Sequence, residues 1–203
     1  MSITSEATSL EDPAAPQSDD EKGAHYAVAI EKANIGETGP QLLTMEVQLD
    51  APILTVHWND VSAFLLACET SVPRVHYGLG AKIPSISAVP GVDFTKVDCS
   101  GFVRAAVMRA THPTVNFPDG SVTQHDWIKS KSFAPTTIDE AQLVDGKVRI
   151  GFLEPQDSGE HIGHVVLIRN GKTAESHGGV GPDSRPFNGT GWQAKAKLYL
   201  LSN

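Results

Sequence analysis

Two residues of this sequence have the type and surroundings that nucleophilic catalysis needs: Cys99 and His164. Cys99 follows Asp98, where a turn-prone stretch gives way to Phe102, Val103, Ala106, Val107 and Ala110 at helical spacing. The spacing predicts a helix that starts at Cys99, with Asp98 as its N-cap, and is closed by Pro113. The first N–H groups of a helix lack intrahelical acceptors and act as a partial positive charge. That favours a thiolate, the form of cysteine that attacks a carbonyl carbon. A thiolate needs a partner that exchanges protons near neutrality. His164 opens the run His164-Val165-Val166-Leu167-Ile168, and as a strand residue it shares a face with Val166 and Ile168.

A base works best when a third group holds its other nitrogen. Asn170-Gly171 between two strand-like runs signals a tight hairpin, with 161–169 leading in and 173–177 returning. Its return brings Glu175, Ser176 and His177 toward His164. A one-residue slip in pairing exchanges the two faces, so periodicity leaves both Glu175 and His177 open as the orienting group.

The elements that must carry these groups are legible in outline. A helix is expected from Asn59, capped by Asn59 or Asp60, with Val61, Phe64, Leu65 and Cys68 on its buried side and Pro73 at its end. Residues 77–91 read as a Gly-, Pro- and Ser-rich loop. Ser121 to Gln124 matches a capping box, which predicts a short helix through Trp127. Val148, Ile150 and Phe152 alternate with Arg149 and Gly151, as in a half-buried strand. Residues 178–191, with Asp183, Ser184 and Arg185, read either as a loop that walls the cleft and meets substrate or as a solvated connector, and 196–201 as a last strand. Helices first and antiparallel strands after is an α+β order.

Composition sets the bounds. The 203 residues fit one main domain. Residues 1–23 read as a disordered acidic tail and 24–203 as a single catalytic domain, with a short strand pair within 25–52. Sixteen Lys and Arg against 24 Asp and Glu give a net charge of −8, which argues against nucleic acid as a partner. The longest apolar run, 63–68, is far too short for a transmembrane segment. The first twenty residues hold no Lys or Arg and no apolar core, so no signal peptide is read there, and a chain cytoplasmic as synthesised is expected. Two cysteines make no disulfide framework; Cys68 reads as a buried packing residue. His25, His57, His76, His112 and His125 read as surface or loop residues.

Asp98-Cys99-Ser100-Gly101-Phe102-Val103 resembles the D-C-S-G-[LF]-V signature of the NlpC/P60-type papain-like cysteine peptidases. Gly163-His164-Val165-Val166-Leu167-Ile168 is similar to that family's G-H-V-G-I-Y strand. Asn170-Gly171-Lys172 resembles its following turn, and Tyr77-Gly78-Leu79-Gly80 its Y-x-x-G-G element. Residues 143–152 resemble the segment ahead of the base strand. The likeness spans roughly 58–201. Ala81 stands where the family has a second Gly, Asp145-Gly146 inverts its Gly-Asp, and Val166 and Ile168 replace Gly and Tyr. G-H-V-x-V/I strands also occur in the related CHAP-type amidases.

The resemblance implies a papain-like α+β core, helices packed on a central antiparallel sheet, and hydrolysis of amide bonds in peptidoglycan stem peptides. It implies a Cys99-His164-His177 triad and a thioester acyl-enzyme. Tyr77, Asp98 and Ser100 would contact substrate or oxyanion, the Cys99 N–H would help hold the oxyanion, and Asp98 would meet a free amine. No metal or organic cofactor is expected. Action on cell wall by a chain without an export signal implies a signal-independent route, as for an injected antibacterial effector or a phage lysis or tail enzyme, with a cognate inhibitor or immunity protein as a candidate partner.

Two other readings use the same residues. His161, His164, His177 and Cys99 offer a zinc ligand set, although His161 and His164 would point to opposite faces of a strand. A non-catalytic module that binds glycan or protein would keep Cys99 for packing and use Trp58, Trp127 or Trp192 for a saccharide.

Overall fold

In the computed structural model, which describes residues 54–203, a six-stranded antiparallel sheet is covered on both faces. The tail 1–23 and the strand pair within 25–52 lie outside the described residues. Helix α1 is Trp58–Thr70. A two-residue parallel pair, β1 (His76–Tyr77) and β2 (Lys96–Val97), leads into helix α2, Cys99–Ala110. Helix α3 (Ser121–Ser130), strand β3 (Pro135–Thr136) and helix α4 (Ile138–Gln142) follow. Strands β4 (Val148–Leu153), β5 (His164–Arg169), β6 (Lys172–His177), β7 (Gly181–Asp183) and β8 (Lys197–Ser202) complete the chain. The sheet order is β3-β8-β4-β5-β6-β7, so the architecture is α+β. Among the described residues no helix is long and apolar enough to cross a membrane.

Alternation along β5 separates two packed layers. Val165 and Leu167 join Ile150, Phe152, Phe102 and the buried sides of α1 and α2 in the larger cluster. Val166 and Ile168 join Ala141, Phe187 and Leu198 in a smaller one on the opposite face. Each large side chain so buried contributes on the order of 1.5–3 kcal/mol.

The second layer corrects the reading of β4 as half-buried: all six of its residues are buried. Arg149 meets the Asp145 carboxylate at 2.7 and 3.1 Å, and Gly151 leaves room for Leu198, whose Cδ2 would lie 2.8 Å from an added Cβ. The Asn170-Gly171 hairpin forms as its residue types require, both with positive φ (51° and 69°).

Three other expectations give way to tertiary contacts. Helix α1 takes His57 as N-cap, with no capping side chain, in place of Asn59 or Asp60. Ser121 is the first helical residue of α3 behind Gly120, so no capping box forms there. The buried Gln124 amide instead donates to the carbonyls of Ser100 and Pro118. A capping box does form at Thr137 and Glu140, opening α4. Strand β1 emerges from the stretch read as loop, and β7 from within 178–191.

Candidate active site

Cys99 is the first residue of α2, and Asp98 is the N-cap. The Asp98 Oδ1 accepts from the Gly101 N–H at 2.7 Å and from the Ser100 hydroxyl at 3.0 Å. Its Oδ2 takes the Lys82 ammonium at 2.7 Å, and Lys82 also reaches Asp119 at 3.0 Å. Asp98 is thus saturated by its own helix and by Lys82, and the Ser100 hydroxyl is turned toward it. The space at Gly101 is tight: an added Cβ would lie 3.1 Å from Asp98 Oδ1 and 3.2 Å from the Ala81 carbonyl.

Strand β6 sets the height of α2 against the sheet, because the buried Ser176 hydroxyl donates to the Val97 carbonyl at 2.9 Å, two residues before Cys99. The Cys99 sulfur lies 3.9 Å from the Gly163 carbonyl, just ahead of β5, and is near enough to the His164 ring to raise its proton affinity. Tyr77 ends β1 opposite Val97, two residues ahead of Cys99; burial raises its hydroxyl above the ordinary pKa, and the Cys99 and Asp98 charges push the same way.

The His164 ring is held by Glu175. Its Nε2 lies 2.7 Å from Glu175 Oε2. A carboxylate only accepts, so Nε2 carries an N–H in either charge state, and Nδ1 is the nitrogen that gains or loses the second proton. Burial alone would lower the His164 pKa; the neighbouring Cys99 and Glu175 side chains outweigh it and push the imidazole up to about 9. Glu175 is fully buried. Burial alone would raise its pKa, but hydrogen bonds from His164 and Arg185, the His164 charge and the Thr173 hydroxyl bring it down to about 2.

His177 is not on that ring. Its Nδ1 faces the Gly178 carbonyl at 3.1 Å and its Nε2 faces Asp183 at 3.5 Å. Pairing explains the difference. The β5–β6 ladder runs from Arg169↔Lys172 to Leu167↔Ala174 and stops. Continued, it would set His177 opposite His164. Beyond Ala174, β6 pairs instead with β7, and His177 is matched to Gly181. The His164 ring then reaches the same-face diagonal neighbour, Glu175.

The remaining candidates separate. His161 is exposed on a turn with φ 55°, and among the described residues no three His, Cys, Asp or Glu side chains converge as metal ligands. Cys68 is buried within α1, and its burial pushes the thiol up to about 12, the opposite of a nucleophile's setting. Both cysteines are free. Trp58 and Trp127 pack against the larger cluster. Trp192 stands edge-on to His164 with ring centroids 5.1 Å apart. His125, read as a surface residue, is buried, stacked on Phe152 at 4.7 Å, and bonded to the Tyr199 hydroxyl at 2.9 Å.

The sequence reading names Arg185 only within the 178–191 loop, with no role at Glu175, and assigns neither Thr173 nor Lys82 to the site. The available signal is physical: a buried carboxylate needs compensating donors, and each of these supplies one. Neither the protein-family models nor the curated proteins compared with this chain match it.

Proposed function

We propose that this chain is a cysteine amide hydrolase acting on peptidoglycan stem peptides, on a papain-like NlpC-type core. The observation that carries the reading is the His164 ring, anchored through Nε2 to the buried Glu175 at 2.7 Å, with the carbonyl of the preceding Gly163 3.9 Å from the sulfur at the tip of α2. Nucleophile, base and orienting group are then Cys99, His164 and Glu175. The substrate class rests on the sequence likeness around Cys99 and His164.

The Cys99 sulfur attacks the scissile carbonyl carbon, and the carbonyl π electrons move to oxygen. The oxyanion forms beside the first N–H groups of α2, which have no acceptor within the helix. The tetrahedral intermediate collapses, the C–N bond breaks, and the His164 imidazolium gives its Nδ1 proton to the leaving amine. The acyl group is left on sulfur as a thioester. Water then attacks the thioester with His164 taking its proton, the C–S bond breaks, and the acid leaves. Glu175 keeps the ring orientation through both halves and stabilises the imidazolium. Tyr77, at the end of β1 opposite Val97, is the candidate side-chain donor to the oxyanion.

The test uses purified full-length chain against isolated sacculi, with released peptides weighed by mass spectrometry. Wild type is expected to release new amine and carboxyl ends, and Cys99→Ala none. Alkylation of Cys99 by iodoacetamide should abolish release. Unchanged sacculi with wild type, or equal release by Cys99→Ala, overturns the reading. Retained sacculus binding without cleavage would favour a binding module.

A further inference from the structure

We infer that Arg185 is a positioning residue for the reaction, acting through Glu175: it holds that carboxylate ionised and oriented so that His164 keeps the ring angle and tautomer that serve Cys99. The inference deepens the cysteine-hydrolase reading and rests on it for its kinetic consequence, but its structural half stands on contacts around Glu175 alone.

Glu175 is fully buried on β6, between β5 and the edge strand β7, where an unpaired charge is very costly. Its two oxygens have four donors. Oε1 accepts from the Thr173 hydroxyl at 2.6 Å and from Arg185 Nε at 3.0 Å. Oε2 accepts from His164 Nε2 and Arg185 Nη2, both at 2.7 Å. The guanidinium therefore grips the carboxylate with two parallel N–H groups, a planar fork that fixes the plane of the acceptor. With that plane fixed, Oε2 can meet Nε2 from only one direction. Lys could supply the charge but not the fork.

Arg185 is itself held. Its backbone N–H donates to the Thr173 hydroxyl at 3.0 Å, and its carbonyl accepts the Thr173 N–H at 2.8 Å. Its guanidinium carbon lies 6.0 Å from the Trp192 ring, the same ring that stands against His164. The stretch between β7 and β8 thus closes around the His164–Glu175 pair from outside the hairpin. The Arg185 side chain is 35% exposed, open enough for a small cation from solution to take the place of a missing guanidinium.

Electrostatics gives the inference a sign. Arg185 shares the Glu175 charge with the imidazolium. Its removal leaves His164 the undivided partner of that carboxylate, so the imidazole should hold its proton more tightly. Removal of Glu175 itself should do the reverse.

The experiment compares wild type, Arg185→Met and Arg185→Lys in full-length chain. It reads steady-state kinetics on isolated sacculi and the His164 titration by NMR. In Arg185→Met, kcat is expected to fall on the order of 10–100-fold, the size met for partners that orient a ligating histidine at metal sites, with KM little changed. The His164 titration should move above its wild-type position near 9. Arg185→Lys should recover part of kcat, and millimolar guanidinium ion should restore part of the activity of Arg185→Met. If Arg185→Met does not fold, Arg185→Lys carries the test, because loss of the fork alone should lower kcat. A His164 titration unmoved in a folded variant, or kcat unchanged, overturns the inference. Absence of Cys99-dependent cleavage in wild type sinks the hydrolase reading separately, and the titration still decides whether Arg185 acts on His164.

Discussion

His164 and Glu175 are neighbours along a diagonal, not across a rung: Nε2 and Oε2 meet at 2.7 Å where the β5–β6 ladder has just ended. The carboxylate both fixes the ring and raises its proton affinity. In Glu175→Gln, burial is left to act with less opposition, so the His164 titration should fall well below its position near 9. Hydrolysis should drop by roughly 10²–10⁴-fold, the usual range for a positioned acid or base group. NMR titration and turnover on sacculi check the two halves. A histidine that titrates unchanged in this variant would mean that the contact does not govern it.

His177→Ala separates the two orienting groups that strand periodicity left open. His177 bonds Gly178 and Asp183, and no bond from it reaches His164. The variant should keep the His164 titration of the wild type and lose less than about tenfold in turnover, far less than Glu175→Gln. A loss equal to that of Glu175→Gln would return His177 to the site.

The pair also sets a pH window for stability. His164 has a folded pKa near 9 against an ordinary 6.5. Its contribution is fully present below 6.5 and is lost as pH rises through 9. Glu175 has a folded pKa near 2 against an ordinary 4.5. Its contribution is present above 4.5 and is lost as pH falls toward 2. Both act fully only between 4.5 and 6.5. The stability difference between wild type and Glu175→Gln, measured by urea unfolding across pH, should therefore be largest in that window and shrink on both sides. A difference that grows toward pH 9 would contradict the assigned direction for His164.

The sequence-readable parts of this site are those set by neighbours along the chain. Asp98 before Cys99 marks a capped helix start because the capping bond spans three residues. Asn170-Gly171 marks the hairpin because the turn itself demands positive φ. What periodicity missed depends on distant partners. The buried outer face of β4 needs Asp145, Leu198 and residues 191–195 to cover it, and Glu175 needs Arg185, ten residues on and beyond another strand. Gln124 fits a local capping box equally well, yet its burial against Ser100 and Pro118 overrides it. The choice between Glu175 and His177 turned on where a ladder stops, which no local pattern encodes.

Asp98 offers the last test, because capping and charge can be separated there. Its Oδ1 satisfies the Gly101 N–H and the Ser100 hydroxyl, while its Oδ2 meets Lys82, whose side chain is 39% exposed. Asp98→Asn keeps a capping oxygen and loses only the charge toward Lys82, so its cost should be below about 1 kcal/mol, as for partly exposed pairs. Asp98→Ala also removes the cap and leaves buried donors at the first turn of α2, so about 1–2 kcal/mol should be lost. The helix start that carries Cys99 should loosen with it, and thermal unfolding with turnover on sacculi reads both effects. If the two variants were equally destabilised, the ion pair with Lys82 rather than the cap would be what holds Cys99 at the helix tip.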